Sequence, residues 1–234
     1  TETHILPLVP RIVALLRAVA EGGAARDASS VAAMRLISSL SGQQAGLRAV
    51  HAAGVLPLLL PLMRVGVAAG EGAYATAGVQ LIKRALADGE TKAAAVAAVE
   101  AVVGLLPADE RFDAFAAADA RLAADTLREL IQSQPTVICE AGAIPRLLAA
   151  SRGSDVFALA RRLPQLALDA LSHLLQRHAS SLESHGRGVL DLLVRSCEVA
   201  STPHDGRRAL LNALLPGASD SVRHGAIDAC LGVL

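Results

Sequence analysis

Asp125 and Glu129 stand four residues apart in a helical pattern, which puts both carboxylates on one face, a spacing suited to acid–base work. No histidine, serine or lysine pattern converges on them, so contact with a ligand is the expected role. The seven histidines, His4, His51, His173, His178, His185, His204 and His224, are scattered. His173 and His178 are five apart, off the four-residue spacing that lets two imidazoles share a metal. His185 could approach them through a turn, but no Cys or carboxylate completes a ligand set. The glycines at 66–72 and Gly186-Arg187-Gly188 follow no strand and lack the Lys-Ser/Thr of a phosphate loop. Asp109 and Glu110 lie beside Pro107 and suit a solvated turn with a helix cap. Cys139, Cys197 and Cys230 are odd in number and form no CxxC pair, which fits reduced core thiols in a reducing compartment. The expectation is a non-enzyme with no cofactor, no metal and no small-molecule substrate.

Composition narrows the partners. Hydrophobic residues make up 53% of the 234, yet aromatics only 2%, with no Trp. A core of Ala, Leu and Val suits closely packed helices more than sheets. Basic and acidic residues balance at 22 each, without the basic excess or stacking platforms of a nucleic-acid binder. Pro10 and Arg11 interrupt the N-terminal apolar stretch, so no secretory signal is expected, and no run of apolar residues suggests a membrane span. The chain starts at Thr1 without Met and ends at Leu234 within an apolar helical pattern, which reads as part of a longer protein, with any targeting signal outside this stretch. The expected location is cytoplasmic, with cytoskeletal or ciliary assembly an option.

The elements that must position these groups repeat. Cys139-Glu-Ala-Gly-Ala-Ile-Pro145-Arg-Leu-Leu matches His51-Ala-Ala-Gly-Val-Leu-Pro57-Leu-Leu-Leu, and Val9-Pro10-Arg-Ile-Val-Ala-Leu-Leu is a third copy. The prolines are 47 and 88 residues apart, and each precedes by seven an arginine: Arg17, Arg64 and Arg152. A period near 44 implies stacked supersecondary units. The pattern predicts helices over 7–20, 27–40 (with Asp27, Ser29 or Ser30 as N-cap), 43–52 and 55–65, then a glycine-rich loop at 66–73. Further helices are predicted at 74–87, in a run over 91–106 holding both a short and a longer helix, and at 112–132, 135–140, 143–151, 156–177, 179–184 and 189–200. Residues 201–218, with Pro203, Gly206, Pro216 and Gly217, read as an insertion before a last helix from Asp220.

A short helix, a glycine, a medium helix and a long helix per unit resembles the armadillo repeat family, carried by Ala53-Gly54-Val55-Leu56-Pro57 and Ala141-Gly142-Ala143-Ile144-Pro145-Arg146-Leu147-Leu148. HEAT repeats are the nearest alternative, but lack this Gly-x-x-Pro junction. The resemblance implies an all-α, right-handed α-solenoid of about four to five three-helix repeats forming one domain over 1–234: 1–42, 43–88, 89–133, 134–178 and 179–234. In that family the third helix of each unit lines a concave groove through a Trp and an Asn position. Aligned on Ala33–Leu40, those positions hold Arg35 and Ser39, then Gln80 and Arg84, Asp125 and Glu129, Asp169 and His173, and Asp228 and Gly232. The first four helices step by 45, 45 and 44 residues. One turn earlier stand Val31, Thr76, Arg121, Gln165 and His224. With no Trp, and with Asn212 its only Asn, the chain departs from importin-α-type receptors of nuclear signals.

The resemblance therefore implies a protein–protein interaction scaffold. Partners would be other proteins: an extended peptide or helix in the groove, or neighbours in an assembly. The ladder is basic or neutral at Arg35, Gln80 and Arg84 and acidic at Asp125, Glu129, Asp169 and Asp228, so its later half suits a basic segment. The alternative is a regulatory or adaptor domain of a larger protein, such as a chaperone cofactor, a ubiquitin ligase or a cytoskeletal or ciliary assembly component.

Overall fold

Val9, Val13, Leu16 and Val19 recur at three- and four-residue spacing and are all buried, so the first long segment pairs one apolar stripe with an exposed face carrying Arg11 and Arg17. In the computed structural model they form α1 (Val9–Ala20), entered through a 3-10 turn at Leu6–Leu8. Pro10 sits in its first turn, where its missing N–H costs no hydrogen bond. The structure describes residues 6–22, 28–108 and 114–152, with Ala167, Ala170, Leu171, His173, Leu174 and Arg177 beyond them. All regular structure among the described residues is helical: α2 (Ala28–Leu40), α3 (Gln44–Ala52), α4 (Leu59–Ala69), α5 (Gly72–Ala87), α6 (Lys92–Gly104), α7 (Ala114–Ile131), α8 (Pro135–Glu140) and α9 (Ala143–Arg152). The chain divides into two compact units, Thr1–Val102 and Val103–Leu234.

In the first unit α1 packs on α4, and α2 on α5, while α1 pairs with α2 and α4 with α5. Helices one period apart in sequence are thus neighbours in space. Met34 and Ile37 of α2, Leu62 and Met63 of α4, and Leu81 and Ile82 of α5 are at most 1% exposed. Burying each such side chain contributes roughly 1.5–3 kcal/mol. Two glycines let α4 and α5 close up. A Cβ on Gly66 would stand 2.7 Å from Tyr74 Cβ and 2.9 Å from the Glu71 carbonyl oxygen, and one on Gly78 would stand 2.6 Å from Met63 Sδ.

The break between α3 and α4 follows from Gly54. Its φ of +80° is left-handed, a conformation glycine adopts without steric penalty. Gly54 N–H donates to the His51 carbonyl at 2.8 Å and Val55 N–H to the Val50 carbonyl at 3.4 Å, closing the end of α3 in a Schellman motif. Pro57 then occupies the 3-10 turn Leu56–Leu58 that leads into α4.

Several expectations are corrected. Residues 66–73 are not a loop: α4 runs on to Ala69 because Gly66 packs against Tyr74, and the chain reverses only at Gly70 and Glu71. Ser29 and Ser30 lie inside α2 rather than capping it, and Ser30 is wholly buried. The run at 91–106 holds one helix, α6, not two. The physical reason lies 44 residues after Gly54 and Pro57, where Ala98 and Ala101 supply neither a left-handed stop nor a missing N–H. Asp27, Asp109, Glu110 and the expected elements from 179 onward, the 201–218 insertion included, lie outside the described residues.

In the second unit α7 packs on α8 and α8 on α9. Leu127, Leu130 and Ile131 of α7, Ile138 of α8 and Leu147 of α9 have no exposed surface, and Ala167, Ala170, Leu171 and Leu174 are equally buried. The interior is aliphatic and alanine-rich.

Candidate interaction surface

Hydrogen bonds across one period hold the packed helices in register. Tyr74 Oη on α5 donates to Ser30 Oγ on α2 at 2.7 Å, between buried groups 44 residues apart. Gln44 Nε2 at the start of α3 donates to Asp88 Oδ1 after α5, at 3.2 Å and again 44 apart. Asp88 also accepts from the Thr91 backbone N–H at 3.2 Å at the entry to α6, and Arg48 lies 3.8 Å from it and 3.0 Å from Glu90. The Gln44 hydrogen bond, those from Thr91 and the Arg48 charge hold the Asp88 carboxyl below its ordinary value, against the opposing effect of desolvation.

Arginines cap helix ends that lie 46 and 40 residues earlier in the chain. Arg84 Nη1 on α5 donates to the Ser38 carbonyl and, at 2.8 Å, to Ser41 Oγ at the end of α2. Ser41 Oγ in turn donates to the Ser38 carbonyl at 2.7 Å. In the second unit Arg146 Nη1 donates to the Leu106 carbonyl at 2.7 Å, just past the end of α6. A guanidinium at a helix C-terminus satisfies orphan carbonyls and complements the negative end of the dipole.

The ladder residues differ in what holds them. Arg35, Ser39 and Gln80 are exposed, on the outer stripes of α2 and α5. Arg35 and Gln80 have no hydrogen-bond or ion-pair partner among the described residues. Arg84 is half-buried and held by α2, so its first role is structural. In the second unit Arg121, Asp125 and Glu129 are half-buried on α7, and Arg128 Nη2 sits 3.9 Å from both Asp125 and Glu129. His173 is exposed. Gln165, Asp169 and Asp228 lie outside the described residues. Of the residues one turn earlier, Val31 is half-buried and Thr76 exposed.

Sequence reasoning missed Arg128, although its three-residue step from Asp125 was legible, and missed the clamp of Gln44, Arg48 and Asp88. The 44-residue spacing of Gln44 and Asp88 was the signal available for the latter. Among the described residues, no three His, Cys, Asp or Glu side chains gather to hold a metal, and no single helix is long and apolar enough to cross a membrane. Cys139 is half-buried and forms no disulfide among the described residues. An apolar cleft of about 340 Å³ lies in the first unit, lined by Leu60 and Met63 of α4 and by Ala94, Ala97, Ala98 and Ala101 of α6. Along it α6 is one unbroken helix. A comparison with protein-family models finds no match for this chain, and a comparison with curated proteins finds none.

Proposed function

We propose that this chain is a stack of armadillo-like repeats, a right-handed α-solenoid, that serves as a protein-interaction scaffold. The observation that carries the reading is the pairing of α2 with α5. Helices one period apart pack side by side, joined by a buried hydrogen bond between residues 44 apart, and present polar side chains outward at matching positions, Arg35 with Gln80. A repeated scaffold with varied exposed residues suits recognition of an extended segment, whereas chemistry needs convergent groups.

The later part of the ladder is proposed to take a basic segment. Asp125 and Glu129 meet Arg128 at 3.9 Å with side chains 44% and 47% exposed, so these internal pairs are weak and a partner's cation can compete for the carboxylates. The test is fluorescence anisotropy with a labelled peptide of alternating Lys and Leu. Binding is expected to weaken about tenfold when Asp125 and Glu129 are both changed to Lys, through loss of two exposed ion pairs and new repulsion. Unchanged affinity in that double variant would sink the assignment.

A further inference from the structure

Helices α2 and α5 carry Arg35, Lys83 and Arg84 and not one carboxylate over their whole lengths, Ala28–Leu40 and Gly72–Ala87. The contrast with α7 is direct, since that helix holds Asp119, Asp125 and Glu129 beside Arg121 and Arg128. The exposed stripe of α2 runs through Ala32, Arg35 and Ser39, with Leu36 beside it at 37% exposure. The exposed stripe of α5 runs through Thr76 and Gln80 towards Arg84. The nearest carboxylates in sequence are Asp27 just before α2, which lies outside the described residues, Glu71 at the start of α5 and Asp88 past its end, and Asp88 is already bound by Gln44, Thr91 and Arg48. Arg84 is fixed by the end of α2, so its charge is held in place rather than mobile.

We propose that the paired outer stripes of α2 and α5 bind an acidic segment of a partner protein. This rests on reading the α2–α5 pair as an interaction surface, and it names the partner's chemistry there. The argument is charge complementarity. With Arg84 held at the end of α2 and no carboxylate on either helix, Arg35 has no ion-pair partner among the described residues, and an incoming Glu or Asp supplies one in bidentate geometry. Gln80 offers an amide to the partner's backbone or carboxylate, and Leu36 a place for one apolar side chain. The occupant that fits is an extended segment in which carboxylates recur with an occasional apolar residue.

The experiment uses the full chain and three labelled peptides: alternating Glu and Leu, alternating Lys and Leu, and alternating Gln and Leu. The Glu–Leu peptide is expected to bind more tightly than the Gln–Leu peptide and to lose affinity as salt rises. Arg35→Glu is expected to weaken it about tenfold, the scale of turning one exposed ion pair into a like-charge contact. Gln80→Glu, which removes no bond within the fold, is expected to weaken it in the same direction. Circular dichroism of both variants confirms that the helices persist. The assignment is overturned if the Glu–Leu peptide binds no better than the Gln–Leu control, or if neither variant weakens it. If it fails while the Lys–Leu peptide binds and is released by the Asp125 and Glu129 changes, the scaffold reading stands and this assignment alone falls. If neither charged peptide exceeds the control, both fall.

Discussion

Tyr74 and Ser30 share one buried hydrogen bond across a full period of the chain. Tyr74→Phe keeps the ring against Gly66 and removes only the hydroxyl. Loss of that buried bond is expected to cost about 1–2 kcal/mol, read as a lower urea midpoint with an unchanged slope. Asp88 makes a different kind of contribution, because its carboxylate is useful only when ionised. Its folded-state pKa is held below the usual 3.8. The stability it adds is therefore fully present above that unfolded value and is lost as pH falls through the lowered folded value. Asp88→Asn is expected to lower the melting temperature at pH 7 and to make little difference at pH 2. An equal drop at both values would mean that the charge is not what matters.

The element scale is governed by how closely helices approach and where they break. A methyl at Gly66 meets Tyr74 Cβ and a backbone carbonyl, neither of which can move without shifting α5 against α4. A methyl at Gly78 meets the flexible thioether of Met63. Gly66→Ala is expected to destabilise by about 1–3 kcal/mol and Gly78→Ala by less, because Met63 can change rotamer. Denaturant titration of the two variants side by side ranks them. The unbroken course of α6 leads to a second prediction. Placing a proline 44 residues after Pro57 with Ala101→Pro removes a hydrogen bond from the interior of α6 and is expected to cost about 3 kcal/mol or more. A fall in helical ellipticity alongside the loss of stability would place the damage in that helix.

At the scale of the whole molecule the charge is balanced, 22 against 22, with an isoelectric point near 7.0. Net repulsion between copies therefore vanishes near neutral pH. Light scattering is expected to show greatest self-association near pH 7 and less on either side, with added salt weakening any association driven by the opposite charges of α2–α5 and α7. The neutral total conceals unlike helices. Cations alone sit on α2 and α5, while α7 carries mixed charge with an acidic excess.

The helices were legible in the sequence because local rules decide them. Apolar spacing marked α1, α2, α5 and α7, and Gly54 with Pro57 marked the junction of α3 and α4, since a left-handed stop and a missing N–H act over a few residues. The period was legible too, because equivalent residues recur whatever they touch. Burial by a distant neighbour was not. Gly66 reads as a loop residue until Tyr74 is seen packed on it, and Ser30 reads as a cap until Tyr74 is seen bonded to it. Arg84 and Gln80 occupy the same kind of position in sequence, yet only tertiary structure ties Arg84 to the end of α2 and leaves Gln80 open. By itself the sequence determined where most of the described helices lie and that its motif recurs near every 44 residues. Tertiary structure alone decided which polar side chains are consumed by packing, because that depends on groups some 44 residues away brought within about 3 Å.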